Sequence, residues 1–124
     1  MFGIFGRSQE MQSLDRALRS VGLNPRGVPE AVKLTVLKQL KEANFGHSPE
    51  AHALSLAADL VAYCLLGPEE FRQVNGGSRT DSVETRLADA LGTGYGLDAR
   101  LVLLTLHARV IHPGVIERYK FSSE

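Results

Sequence analysis

The chain has 124 residues, of which 44% are hydrophobic and 23% are charged, and this composition is typical of a globular domain. A chain of this length buries roughly two-thirds of its unfolded surface on folding, so we predict a single domain over residues 1–124 that requires neither a metal nor a disulfide. The 14 Lys and Arg balance the 14 Asp and Glu, which argues against the dense basic face on which nucleic-acid binding depends, and we predict no nucleic-acid partner.

Residues 1–7 form an apolar N-terminal arm, which contains Phe2, Ile4 and Phe5 ahead of the first predicted helix. We expect this arm to pack as a clip on the surface of the domain. The alternatives are a frayed end, or a contact with another subunit, a protein or a membrane surface. The arm is too small for stable membrane insertion and lacks the features of a secretory signal.

Two helices are predicted in the first third of the chain. The first runs from about Gln9 to Val21, with Ser8 as its N-cap and Gly22 as its stop. The second begins at Pro29, whose missing N–H costs nothing in a first helical turn, and ends before the break at 44–46.

These two helices faintly resemble a helix-turn-helix, because small and apolar residues, among them Ala17 and Gly22, precede the second helix. The pattern then fails, since Pro25, Gly27 and Pro29 occupy the place of the recognition helix and the connection exceeds the usual 3–4 residues. DNA binding is therefore kept only as the third functional hypothesis.

The third helix is predicted from Pro49 to Leu66, because Ser48, Pro49 and Glu50 form a strong helix start. It is the most apolar stretch of the chain, so we expect it at the centre of the fold. Gly67 and Pro68 end it, and Pro68 can open a short helical segment through Val74.

The second half of the chain contains two more predicted helices. Residues 75–78 are the most flexible-looking point, and Asp81 followed by Glu84 resembles a capping box for a helix that ends at Leu91. After a glycine-rich loop, a last helix runs from Asp98 to His112. The tail, residues 115–124, is ambiguous.

The predicted fold is therefore an all-α, single-domain bundle of five or six helices. The helices at 49–66 and 98–112 are too apolar to be ordinary surface helices, so we place both at its centre.

A polar stripe on the third helix is the first candidate for chemistry. His52, Ser55, Asp59 and Tyr63 are spaced by three, four and four residues on one side of an otherwise apolar helix. The simplest interpretation is a narrow solvent-exposed edge, and the alternatives are a buried hydrogen-bond network or a ligand cluster.

The last helix supplies possible partners for this stripe. We expect Asp98, Thr105, Arg109 and His112 on its solvent face. His107, flanked by Leu103, Leu104, Val110 and Ile111, is the histidine expected to be buried. If the two central helices pack together, Asp59 can meet Arg100 or His107. A carboxylate–histidine pair supports general-base chemistry, although it is more often a structural hydrogen bond. The candidate ligand cluster is His52, Asp59, Tyr63, Arg100 and His107.

Metal, cofactor and covalent chemistry find little support in the sequence. His107 and His112 are five residues apart, which is poor geometry for chelation on one helix. His47 and His52 are also five apart, but a helix starts between them, so their relative orientation is not fixed. Cys64 lies on an apolar face with no neighbouring base, so we expect an inert core thiol. We therefore assign no catalytic residue, no metal site and no cofactor.

The leading functional hypothesis is a non-enzymatic protein-interaction or regulatory domain that self-associates as a homo-oligomer. The second hypothesis is a small-molecule-binding protein or enzyme built around the candidate ligand cluster. The single cysteine favours a reducing compartment, and we expect a bacterial or other cytoplasmic protein.

Overall fold

The computed structural model describes residues 8–121, which contain seven α-helices, one 3-10 turn and no strand. The helices are α1 (Gln9–Ser20), α2 (Glu30–Ala43), α3 (Ala51–Leu66), α4 (Pro68–Asn75), α5 (Gly77–Thr93), α6 (Leu97–His107) and α7 (Pro113–Tyr119), and the 3-10 turn is Pro25–Gly27. The all-α prediction is confirmed for this part of the chain, while the expected count of five or six helices is too low. The N-terminal arm and residues 122–124 lie outside the described residues.

Helix α3 lies at the centre of the packing, as its apolar sequence predicts. It contacts α1, α2, α4, α5 and α6. Every residue from Ala57 to Cys64 is buried, so all sides of this stretch are covered by other helices. Helix α6, the other helix predicted to be central, packs against α2, α3 and α5.

The start of α3 differs slightly from the prediction. The helix begins at Ala51, with Glu50 as the N-cap residue. Ser48 does not cap it, because the Ser48 hydroxyl donates a hydrogen bond to the carboxylate of Glu10 at the start of α1. Ser48, which was part of the predicted helix start, thus makes a tertiary contact instead of capping α3.

Helices α4 and α5 meet with almost no linker, although residues 75–78 were expected to be flexible and the helix was expected to start at Asp81. Gly76 alone separates the two helices, and its φ of 87° belongs to the region that favours glycine. The Asn75 amide donates to the carbonyl of Val21, and Arg72 pairs with Asp81 at 3.1 Å. These contacts fix the junction, so the capping-box resemblance lies inside α5.

The last predicted helix is two helices in the structure. Helix α6 ends at His107 in a Schellman motif, where Arg109 N–H donates to Leu106 O and Val110 N–H to Thr105 O, both at 3.1 Å. Arg109 has a φ of 62°, so an arginine occupies the left-handed position where a glycine is usually found.

The chain then continues as α7, within the tail that the sequence left ambiguous. Pro113 occupies its first turn, and His112 Nδ1 accepts a hydrogen bond from Gly114 N–H as the N-cap, at 2.9 Å. Thr105, which was expected on the solvent face, is fully buried.

Helices α1 and α2 are joined through the 3-10 turn and by a buried ion pair. Lys33 Nζ lies 3.1 Å from Asp15 Oδ1 and 3.1 Å from the carbonyl of Pro25, and both charged residues are buried. α1 ends at Ser20 and α2 begins at Glu30, so the connection is longer than that of a helix-turn-helix.

Within residues 8–121, no helix has both the length and the apolar character needed to cross a membrane.

Candidate functional site

Three of the five residues in the candidate ligand cluster lie on exposed surface. His52 is in the first turn of α3, and Arg100 extends toward Glu42 on α2, with 4.0 Å between Nη1 and Oε1. His107, which was expected to be the buried histidine, is exposed at the end of α6. The expectation was wrong because Leu103 also points outward and Val110 lies beyond the helix, so these residues do not enclose the imidazole.

Asp59 is buried, and its partner is neither Arg100 nor His107. Arg79, in the first turn of α5, donates from Nε and Nη2 to Asp59 Oδ1 at 3.1 and 2.8 Å. The pair therefore links α3 to α5.

Asp59 also lines a cavity of about 490 Å³ formed by α3, α4 and α5. Its wall includes Arg79 and Arg86, which are the charges most suited to an anion. Arg86 is already engaged, since it donates to both carboxylate oxygens of Asp98 at 3.1 and 2.9 Å and to the carbonyl of Leu56 at 2.9 Å. The remaining polar lining residues are Asn75, Ser78 and Ser82.

Tyr63 belongs to a second polar cluster, formed by α3, α5 and α7. Its hydroxyl donates to Glu84 Oε2 at 2.7 Å and lies 3.2 Å from the hydroxyl of Tyr119. Arg118 pairs with the other oxygen of Glu84 at 3.3 Å. Burial, followed by the hydrogen bonds with Tyr119 and Glu84, raises the pKa of Tyr63 above its ordinary value, so the phenol stays protonated. The cluster is thus a set of mutually satisfied groups that fasten α7 to the bundle.

The structure therefore does not gather the five predicted residues into one site. Asp59 and Tyr63 are four residues apart on α3, yet each has its own partner on α5. Of the stripe that was expected to be exposed, His52 is exposed and Ser55 is half-buried, whereas Asp59 and Tyr63 are buried and bond to residues of α5.

Cys64 is buried, as predicted. Burial raises the pKa of its thiol to about 12, and a hydrogen bond with Thr105 offsets this effect only in part. The thiol is therefore protonated at neutral pH and is a poor nucleophile. Among the described residues, no group of three or more His, Cys, Asp or Glu side chains is placed to hold a metal ion.

An apolar groove near the start of α1 and the end of α2 was not anticipated. We call it the Phe45 groove, and its volume is about 560 Å³. Phe45 is 92% exposed and Leu34 is 55% exposed, while Leu37 forms part of the buried core below them. The groove is lined by Ser8, Glu10, Leu34, Leu37, Lys38, Lys41, Glu42, Phe45 and Gly46.

Phe45 is held in its exposed position by the backbone that ends α2. It has a φ of 57°, in the left-handed region that an aromatic residue rarely adopts, and Gly46 follows with a φ of 86°. The N–H of Gly46 donates to the carbonyl of Lys41 at 2.7 Å and closes the helix end. The strained conformation thus presents a large apolar ring to solvent instead of turning it into the core.

The charges around the Phe45 groove are largely paired. Lys41 Nζ lies 3.2 Å from Glu10 Oε1, and the hydrogen bonds from Ser48 and then Lys41 lower the pKa of the Glu10 carboxyl. Paired rim charges around an apolar floor are typical of surfaces that bind other proteins or apolar segments. The sequence contained one signal for this site, which is an aromatic residue between Asn44 and Gly46 in a segment that we interpreted only as a helix break.

Comparison of the chain with family models, with curated proteins and with solved structures found no match. The assignment of function thus depends on the geometry of the two surface features, the Phe45 groove and the Asp59 cavity.

Proposed function

We propose that this domain is a non-enzymatic protein-interaction domain that self-associates, and that two copies meet through the Phe45 groove. The observation that carries the proposal is the 92% exposure of Phe45 beside Leu34 on the rim of an apolar groove. Large apolar side chains that are grouped on a surface commonly mark a site of association.

The chemistry of the other residues supports an interaction role over catalysis. The two buried residues of the candidate ligand cluster are engaged in contacts between helices, Asp59 with Arg79 and Tyr63 with Glu84. Proton transfer needs a group positioned toward a substrate, and these side chains are turned toward one another. We also propose a cytoplasmic, reducing location, which the lone buried thiol of Cys64 suits.

Replacing Phe45 by serine is expected to weaken self-association at least about fivefold, since a central aromatic anchor contributes more than about 1 kcal/mol to an interface. Sedimentation equilibrium at protein concentrations from tens to hundreds of micromolar measures the strength of self-association. The mass of the unaltered chain should rise above the 13.5 kDa monomer with concentration, and that of Phe45→Ser should remain near it.

Tyr95→Ser is the matched control, because Tyr95 is 78% exposed and does not line the Phe45 groove. It should self-associate like the unaltered chain. A 13.5 kDa mass for the unaltered chain at every concentration would remove the proposal of self-association. An equal loss in the Phe45 and Tyr95 variants would place the interface elsewhere.

A second candidate function, the binding of a small anion or polar molecule, is favoured by the position of Asp59, Arg79 and Arg86 around one cavity. In that case inorganic phosphate should raise the midpoint of thermal unfolding by a few degrees over chloride at equal ionic strength, because a ligand that binds only the native state stabilises it. Arg79→Gln should abolish the difference. Equal midpoints in phosphate and chloride would contradict phosphate binding at this cavity.

A further inference from the structure

The wall of the Phe45 groove includes one face of α2 and the residue that follows its end. The side chains of this face are Leu34, Leu37, Lys38, Lys41, Glu42 and Phe45. They recur every three to four residues, as positions on a single helical face do, and Phe45 lies two residues beyond the end of α2. The face thus has an exposed apolar side chain at each end, Leu34 and Phe45, and charged side chains between them.

Two of the charges on this face have no strong partner within the described part of the chain. Lys41 and Glu10 are paired at 3.2 Å, whereas Lys38 makes no ion pair within residues 8–121. Glu42 lies 4.0 Å from Arg100, and both of these side chains are more than half exposed, so their attraction is largely screened by water. Lys38 and Glu42 are therefore the charges of the groove that remain for a partner.

The order of these side chains is self-complementary when two copies of the face run antiparallel. The midpoint between Lys38 and Glu42 is position 40 of the chain, and the midpoint between Leu34 and Phe45 differs from it by half a residue. At the rise of a helix this difference is less than about 1 Å. A two-fold axis through this point therefore places Phe45 against the partner's Leu34 and Lys38 beside the partner's Glu42, and each contact occurs twice.

The charges decide between this arrangement and a parallel one. In a parallel pair in the same register, Lys38 would face the partner's Lys38 and Glu42 would face the partner's Glu42. Like charges that meet at an interface oppose association, whereas the antiparallel pair brings opposite charges together at both places. An uncharged apolar peptide would contact Leu34 and Phe45 but would gain nothing from the two charges. The groove thus favours a second copy of this chain in one orientation.

We infer that Lys38 and Glu42 are the specificity-determining residues of the Phe45 groove, and that they select a second copy of this chain in an antiparallel, two-fold symmetric pair. The inference rests on the proposed function, because it requires that two copies meet through this groove. In the pair, each Phe45 ring covers the partner's Leu34, and both copies use the same residues. Such a contact is closed, so association stops at the dimer.

Reversal of the two charges, measured by sedimentation equilibrium of the full chain, tests this arrangement. Lys38→Glu and Glu42→Lys should each weaken self-association about tenfold, because each change converts two opposite-charge contacts of the pair into like-charge contacts. The double variant Lys38→Glu/Glu42→Lys should associate like the unaltered chain, since it exchanges the two charges and restores the opposite-charge contacts. An equimolar mixture of the two single variants should also associate at concentrations at which each variant alone is monomeric.

Glu69→Lys is the matched control for the change in net charge. Glu69 is exposed on α4 and does not line the Phe45 groove, so this variant should associate like the unaltered chain. Lys38 and Glu42 are exposed as well, so the fold should tolerate both reversals. Recovery in the double variant and in the mixture shows directly that the single variants fail through charge and not through unfolding.

The outcomes separate the antiparallel pair from the proposed function. If the unaltered chain associates and Phe45→Ser weakens the association, but neither charge reversal has an effect, the antiparallel pair is wrong and the proposed function stands. Loss in the single variants without recovery in the double variant, or a mass above that of a dimer, would also overturn the antiparallel pair. A monomeric mass for the unaltered chain at every concentration would refute the proposed function, and the antiparallel pair with it.

Discussion

Replacing Asp15 by alanine is expected to lower the free energy of unfolding by about 3 kcal/mol, the lower end of the range for breaking a buried ion pair. Lys33 is only 4% exposed, and its ammonium lies 3.1 Å from Asp15. Without the carboxylate, the ammonium keeps the carbonyl of Pro25 and a longer contact to Glu30, 3.7 Å away. Glu30 is a second charge partner, but it is more distant and its side chain is 55% exposed, so these contacts limit the loss without removing it.

The double variant Asp15→Ala/Lys33→Met separates the ion pair from packing. Because it removes both charges, it should recover most of the stability that Asp15→Ala loses, as a buried pair is seldom better than an apolar replacement. Urea unfolding followed by circular dichroism measures all the variants, including Lys33→Met alone. If the double variant loses the sum of the two single losses, the buried pair is not the source of the effect.

Gly67→Ala is the second substitution with a large expected effect, a loss of about 2–4 kcal/mol from backbone strain and overpacking together. Gly67 joins α3 to α4 with a φ of 92° and a ψ of 163°, a conformation that is essentially restricted to glycine. An added Cβ would lie 2.8 Å from Nδ1 of His112. The ring cannot move freely, because that nitrogen caps α7 and the backbone N–H of His112 donates to Cys64 O at 2.7 Å.

Gly92→Ala is the matched control for this substitution. Gly92 lies within α5, has open space around the position of a new Cβ, and has no positive φ. Alanine there should stabilise the chain by roughly 0.5–1 kcal/mol, the ordinary difference between glycine and alanine inside a helix. Thermal unfolding of the Gly67→Ala and Gly92→Ala variants measures both changes in stability. A Gly67→Ala protein as stable as the unaltered chain would contradict the close packing of His112 on the α3–α4 junction.

The helices were predictable where local signals and tertiary structure agree. Ser8 caps α1 by accepting from Met11 N–H, and the apolar run of α3 is buried from every side. The prediction failed where the local signal was misleading or missing. The glycine pair at 76–77 suggested a flexible linker, yet Gly76 alone separates two helices. The end of α6 is followed by Arg109 in the left-handed conformation, and the sequence has no glycine there to mark the end of the helix.

Only the part of the candidate ligand cluster that lies on α3 could be predicted from the sequence. Helical spacing places Asp59 and Tyr63 near one another on α3. Their partners, Arg79, Glu84 and Tyr119, lie on α5 and α7 and depend on how those helices pack. Because the helix was predicted to start at Asp81, Arg79 lay outside it and was not considered as a partner of Asp59.

The Phe45 groove escaped prediction for a different reason. It is formed where the start of α1 and the end of α2 approach each other, held by the Glu10 pair with Lys41 and the hydrogen bond from Ser48. Residues more than thirty positions apart in sequence define it, so no periodicity along one helix reveals it. The exposure of Phe45 in the folded chain is what distinguishes an apolar surface groove from a simple helix break.

Backbone hydrogen exchange at two protein concentrations is a direct test of the proposed self-association, because it locates the surface through which two copies would meet. Between tens and hundreds of micromolar, the end of α2 around Phe45 and the start of α1 around Glu10 should gain protection. The loop around Tyr95 should exchange equally fast at both concentrations. Protection that does not change with concentration, or that increases only away from the Phe45 groove, would contradict self-association through this surface.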